Sequence, residues 1–183
     1  MSFGQDGAAS IDGLRERYER ELGNDLGNLL SRVTAMIARY RGGTLAAVPA
    51  DDSPVAVLLE PLGGDVADAL DAFDLTGALE RIWEVVRGLN RHVEATAPWQ
   101  LAKDAERADE LDRVLYDLAD GLRTVAVALA AYLPGTSERI LAALGQPAGA
   151  RWDEVAYGRT RPVAGLEAAQ PLFPRVDEPA TAA

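Results

Sequence analysis

The sequence predicts an all-α fold, a helical bundle followed by an irregular C-terminal tail. Three observations carry that prediction. Apolar residues recur at three- and four-residue spacing over three long stretches, and no run alternates with the two-residue period of a half-buried strand. The composition is rich in Ala and Leu and only 6% aromatic, which favours helix over sheet. At 183 residues and 48% hydrophobic, the chain is long enough to close a real core. The bundle is expected over residues 1–145 and the tail over 146–183, packed back on the bundle through its apolar residues.

The first segment starts at Ser10, a plausible N-cap, and carries Ile11, Leu14, Tyr18 and Leu22 on one side. The pattern runs on past Gly23 through Leu26, Leu29, Leu30, Val33, Ile37 and Tyr40 to Gly42-Gly43, as one kinked helix or two. Residues 42–64 hold so many Gly and Pro breakers that they read as a long connection. A short helix over about 65–72 leads to Asp74, which can cap a long helix bearing Leu75, Leu79, Ile82, Trp83, Val86, Leu89 and Val93. Pro98 ends it. Another helix, over about 105–133, repeats the spacing from Leu111 to Tyr132 until Pro134-Gly135 breaks it. A last short one over about 136–144 stops at Gly145, as a C′ glycine would. The tail holds Trp152, Val155, Tyr157, Leu172 and Phe173, which implies that it packs, and 177–183 reads as frayed.

The formal charge of −11 argues against any nucleic-acid binder that relies on bulk positive potential. A local basic patch remains open, because Arg32, Arg39 and Arg41 occur with no carboxylate between residues 31 and 50. Lys103 is the sole lysine and His92 the sole histidine, and there is no cysteine. Disulfides, thiolate metal sites and a cysteine nucleophile are therefore excluded, in keeping with a cytoplasmic location. No apolar run approaches the roughly 18 residues needed to span a bilayer, so no membrane partner is expected.

The P-loop and dinucleotide-fold glycine motifs are absent. A di-iron bundle needs Glu-x-x-His on two helices, but Leu89 stands three residues before His92 and there is no second histidine. No metal site is expected, and His92 reads as a helix-surface residue. The acidic groups Asp51-Asp52, Glu80 with Glu84, and the 104–112 run read as solvated faces, so no catalytic residue is assigned. Trp83 and Trp152 read as packing residues.

The long first segment is more informative. At helical pitch Asn24, Asn28, Arg32 and Arg39 share a stripe off the apolar one, and Asn28 and Arg32, four apart, can act side by side. Such a pair could read base edges and a phosphate, and a merely solvated polar face is the other reading. Trp99 follows Pro98 at a helix-to-turn junction, outside any apolar stripe. A presented indole is a stacking platform for an unpaired base, and a buried structural tryptophan is the alternative.

Three blocks, ELGNDLGNLLSRVTAMIARY at 21–40, NRHVEATAPWQLAKD at 90–104 and PLFPRV at 171–176, resemble the anticodon-binding domain of methionyl-tRNA synthetases. SFGQDGAAS, FDLTGALERIWEVV and the 114–145 stretch extend the resemblance over essentially the whole chain. The resemblance implies the helical anticodon-binding bundle of a class Ia aminoacyl-tRNA synthetase. It also implies recognition of the CAU anticodon of initiator and elongator methionine tRNA, chiefly its cytosine, by Asn28, Arg32 and Trp99. Arg39 and Arg41 are weaker candidates for phosphate contacts, and DNA is not an expected partner. The family's His-x-Gly-His and Lys-Met-Ser-Lys-Ser motifs cannot occur with one His and one Lys, so the chain is expected to lack the domain that uses ATP and methionine and to hold no cofactor. A catalytic domain, in cis or in trans, is then an expected partner. Leu172 and Phe173, whose segment folds toward that domain in the family, are expected to be short of part of their packing surface. Two rivals remain: a helical interaction module that docks another protein without tRNA specificity, and the related domain of a leucine or valine synthetase.

Overall fold

The computed structural model describes residues 10–50, 52–149 and 151–174. Ser10 caps the first helix as expected, its hydroxyl accepting from the Gly13 amide at 3.0 Å. Helix α1 (Ile11–Arg17) passes without a break into a π-helical stretch (Tyr18–Gly27) and then into α2 (Asn28–Arg41). The helical segments follow one another without an intervening loop, and the pitch widens between them, with the Asn28 amide bonded back to the Gly23 carbonyl. Such wide turns are uncommon and tend to occur at functional sites. Gly42, left-handed at φ 57°, ends α2.

The expected long connection over 42–64 is corrected by two helices, α3 (Pro54–Leu59) and α4 (Leu62–Asp71). The Ser53 hydroxyl caps α3 by accepting from the Val55 amide at 3.1 Å. Pro54 stands at the first helical position, where its missing N–H removes no bond and its fixed φ already suits the helix. The prolines there initiate structure instead of interrupting it.

Helix α5 (Leu75–Thr96) is capped by Asp74, which accepts from the Gly77 amide at 2.9 Å. It stops at Ala97, and α6 (Pro98–Leu101) follows as a single turn. A 3-10 turn (Ala105–Arg107) leads into α7 (Ala108–Leu129), and Pro134 opens α8 (Pro134–Ala143) two residues earlier than the spacing indicated. Gly145 at φ 63° lies just beyond α8, as expected.

The spacing implied an α7 with one buried face, yet every residue from Val114 to Leu129 is buried. Helices α2, α3, α5, α6 and α8 all pack on α7 or its neighbours, and the tail covers its remaining polar side. Near its start the tail makes a 3-10 turn (Trp152–Glu154). It then pairs with the loop after α2, with mutual hydrogen bonds between Leu45 and Val163 and a bond from the Leu166 amide to the Gly43 carbonyl. Gly43 has φ 78°, and a Cβ there would stand 2.5 Å from the Leu166 carbonyl oxygen, so the close approach needs glycine. Val155, Leu166 and Leu172 are buried on the bundle. Leu172 therefore has its packing surface within this chain, contrary to expectation, and the half-buried Phe173 sets its ring edge-on to Tyr18. Trp152 is corrected the other way: it is 42% exposed. The frayed end expected at 177–183 lies outside the described residues, as do Arg175 and Val176 of PLFPRV.

Candidate functional site

The three residues singled out in the sequence lie where α2, α5 and α6 meet. Asn28 begins α2 immediately after the π-helical stretch and is exposed, with no side-chain hydrogen bond among the described residues. One turn on, Arg32 reaches across to α5 and donates from Nη2 to Glu94 Oε1 at 2.7 Å. Its guanidinium carbon stands 6.0 Å from the centre of the Trp99 ring, within cation–π range. The corner is open: the Arg32 and Glu94 side chains are 33% and 63% exposed.

Trp99 reaches that corner because of a backbone conformation at Ala97, which adopts φ 43° and ψ 63° without being glycine. A left-handed alanine costs on the order of 1–2 kcal/mol, so it persists only where the surroundings impose it. Here the Ala97 amide still closes α5 by donating to the Val93 carbonyl at 3.0 Å, while Pro98 starts a new turn in another direction. The reversal swings the half-buried indole back toward Arg32.

The two weaker candidates separate. Arg39 is exposed, with its guanidinium carbon 5.7 Å from the Tyr40 ring centre, and lies two turns from Arg32 on the same side of α2, roughly 10 Å along the axis. Arg41 is tied to its own fold. It pairs with Asp112 and donates to the Ala108 carbonyl at 2.7 Å and the Tyr40 carbonyl at 3.1 Å. That places Arg41 as an anchor between α2 and α7, and leaves Arg39 as the guanidinium available from the basic stretch.

Neighbours that sequence reasoning passed over complete the corner. Asn90 donates to the Asp25 carbonyl at 3.0 Å, tying α5 to the π-helical stretch. Asp25, Asn90, Arg91, Glu94 and Ala95 line a shallow hollow of about 670 Å³ beside the Arg32–Glu94 pair. Burial raises the Asp25 carboxyl above its ordinary range, against the opposing charge of Arg87 and with help from Glu21. Arg91 is exposed and has no ion pair among the described residues. The available signal was spacing: Asn90 and Glu94 are one turn apart, ahead of Trp99 in the same block.

A second polar cluster lies under the tail, and it overturns the surface reading of His92. The His92 side chain is only 12% exposed, and its Nε2 lies 3.9 Å from Asp117 Oδ2 with no hydrogen-bond partner among the described residues. Burial lowers its pKa, with the Asp117 charge opposing. Burial likewise raises the pKa of Asp117, against the hydroxyl of Tyr157, which donates to Asp117 Oδ1 at 2.5 Å. The same burial, with that hydrogen bond, pushes the Tyr157 phenol up to about 12. Next to it, Asp120 accepts from Arg123 at 3.1 Å and from the amides of Gly158, Arg159 and Thr160 at 2.6, 3.1 and 2.8 Å. Arg123 also donates to the Glu154 and Ala156 carbonyls, at 2.8 and 2.5 Å. These bonds fasten the tail to α7. No group of three or more His, Cys, Asp or Glu among the described residues could hold a metal ion. No described helix is long and apolar enough to cross a membrane.

Fold and sequence place the chain among aminoacyl-tRNA synthetases. Over 97% of its length it is 35% identical to the methionine-tRNA ligase of Bacillus subtilis, and 36% identical to that of Streptomyces coelicolor. It spans 28% and 36% of those two enzymes, respectively. The free form of Mycobacterium tuberculosis methionyl-tRNA synthetase superposes on 98% of the chain with a TM-score of 0.85 and 28% identity, the chain covering 37% of that protein. The same synthetase with methionyl-adenylate gives a TM-score of 0.82 at 29% identity, over 96% of the chain and 35% of its own length. No family model matches. The chain belongs with the methionyl-tRNA synthetases and corresponds to part of such an enzyme, about a third of its length or less.

Proposed function

We propose that the chain is the anticodon-binding part of a methionyl-tRNA synthetase, reading the CAU anticodon at the Asn28–Arg32–Trp99 corner. The observation that carries this reading is the meeting of Arg32, 33% exposed, with the half-buried Trp99 across two helices, 6.0 Å apart, one turn from an unengaged Asn28. Stacking of a base on an indole is worth about 1–3 kcal/mol and does not require a basic protein, which suits a chain of charge −11. Trp99 supplies the face on which the cytosine of the anticodon stacks. Asn28 offers both a donor and an acceptor to the base edge, and Arg32 has donors beyond the one held by Glu94. Arg39, roughly 10 Å farther along α2, lies at a reach suited to a neighbouring phosphate.

In this reading the chain does not itself activate methionine. ATP and methionine are used by the part of the enzyme that the chain does not span, supplied in cis or in trans, and the setting is the cytoplasm. The RNA partners are the initiator and elongator methionine tRNAs. With few phosphates neutralised, affinity falls gently with salt, log K dropping by about 0.7 per phosphate for each decade of salt on a single strand. Titrating the whole chain with methionine tRNA, and with the same tRNA changed only at the first anticodon base, tests the proposal. Preference for the cytosine form is expected, and equal affinity for the two overturns it.

A further inference from the structure

Arg32 and Arg39 do not exhaust the guanidiniums at the corner. Arg91 is exposed on α5, with no ion pair or side-chain hydrogen bond among the described residues. It borders the hollow that Asp25, Asn90, Glu94 and Ala95 complete. The other charges around that hollow are answered from within the chain. Glu94 holds Arg32 at 2.7 Å, and Asp25 lies in the field of Arg87 and Arg20. Arg91 is the charge left unanswered.

Two hydrogen bonds fix where Arg91 stands. Asn90 donates to the Asp25 carbonyl at 3.0 Å and Arg32 to Glu94 at 2.7 Å, so α5 and the rod that ends in α2 ascend in the same sense. Arg91 therefore lies on the Asn28 side of the Arg32–Glu94 pair, three residues and roughly 4.5 Å along the helix axis before Glu94. Residues three apart share a helix face, so Arg91 is presented on the face that carries Glu94 to the corner. Arg39 lies on the other side, roughly 10 Å beyond Arg32. Two available guanidiniums thus bracket the meeting of Arg32 and Trp99. A nucleotide whose base stacks on the indole sits within a strand that carries a phosphate on either side of it, and a pair of flanking cations matches that strand where one alone would not.

We propose that Arg91 is a further RNA-binding residue, taking a backbone phosphate on the Asn28 side of the stacked nucleotide while Arg39 takes one on the far side. The proposal rests on the anticodon reading above and adds to it the path of the strand, from the α5 hollow across Trp99 toward the C-terminal end of α2. A guanidinium meets a phosphate through charge-assisted hydrogen bonds, and such a contact positions the RNA without reading its sequence. Discrimination stays with Asn28, Arg32 and Trp99. Since the Arg91 side chain has no partner among the described residues, replacing it breaks no bond of the fold.

The test titrates the whole chain and Arg91→Gln with methionine tRNA, and with the same tRNA changed only at the first anticodon base, at several salt concentrations from about 50 to 200 mM. Arg91→Gln should weaken both complexes by the same factor, at an unchanged melting temperature, and lower the slope of log K against log salt by about 0.7, the share of one phosphate on a single strand. Over that fourfold range of salt the parent then loses about 2.6-fold more affinity than the variant. Arg91→Lys should restore the slope, because a point charge serves a phosphate; a packing role would not be rescued in this way. An unchanged slope in Arg91→Gln overturns the proposal. So does a loss confined to the cytosine form, which would make Arg91 a reader of the base. Equal affinity of the parent for the two tRNAs, with the slope still reduced in Arg91→Gln, would sink the anticodon reading and leave the phosphate contact standing.

Discussion

Two arginine–carboxylate pairs in this molecule have the same chemistry and opposite surroundings. Arg123 and Asp120 stand 3.1 Å apart with side chains 4% and 0% exposed, and further hydrogen bonds from the tail engage both partners. Arg32 and Glu94 are closer, at 2.7 Å, but 33% and 63% exposed. The shorter pair is the weaker one. Water competes with it at every moment, and exposed pairs contribute at most about 1 kcal/mol. The buried pair has no such competitor, and breaking it leaves a charge with nowhere to go. Burial thus decides that one arginine fastens the tail while the other is exchangeable, able to trade a carboxylate for a ligand.

The largest effect should come from breaking the buried pair. Asp120→Ala strands Arg123 and removes the acceptor of three tail amides, so a loss of about 3–5 kcal/mol is expected, roughly 6–20 °C in melting temperature for a chain of this size. Circular dichroism melts measure it, and proteolysis should show cleavage within 151–174 under native conditions. A variant as stable as the parent would mean that the tail holds by its apolar contacts alone.

At the open corner the order of effects reverses, with function lost and stability kept. Trp99→Ala should weaken binding of methionine tRNA by about 1–3 kcal/mol, or about 5–150-fold. Melting should shift far less than for Asp120→Ala. Arg32→Lys sharpens the point: the positive charge stays, but the planar fork that can stack near Trp99 and bond in two places is gone. Most of the discrimination between anticodons should go with it, while the salt dependence stays the same. Retained discrimination would reduce Arg32 to a point charge.

How much of this was legible depended on whether the determinant was local. Ser10 and Asp74 were readable as caps because a cap acts within three residues, and Asn28 with Arg32 because one helical turn is a local distance. Ser53-Pro54 obeys the same local rule for a helix start, but so many breakers surround it that the spacing indicates a loop. The burial of His92, Asp117 and Asp120 was out of reach, since what covers α7 is a tail 31 to 40 residues farther on. Ala97 was equally silent. Glycine advertises a left-handed turn and alanine does not, so the reversal that brings Trp99 to Arg32 had no signature beyond Pro98.

Glu94→Gln sharpens the comparison at lower amplitude. The amide keeps a hydrogen-bond acceptor for Arg32 and removes the charge, so stability should change by less than about 1 kcal/mol. Loss of the carboxylate frees the guanidinium for RNA and removes a repulsion toward phosphate, and tRNA affinity should rise modestly, most clearly at low salt. A fall in affinity would mean that Arg32 needs Glu94 to hold it in place.

The smallest effect belongs to His92, and it separates buried from open surroundings by acidity. Burial lowers the His92 pKa below its ordinary 6.5, so between that value and the folded one the unfolded chain binds the proton more readily than the native chain does. This contribution to stability is complete above pH 6.5 and fades as the pH falls through the folded value. Asp117 acts in the opposite sense. Its pKa is raised above 3.8, so its contribution is complete below 3.8 and is lost as the pH rises through its folded value. With the two side chains 3.9 Å apart, the histidine masks the carboxyl in the parent protein. In His92→Gln, melting temperatures should no longer decline on acidification from pH 6.5, and the gain from protonating Asp117 should emerge at lower pH. An unchanged profile would show that His92 reaches solvent often enough to titrate freely.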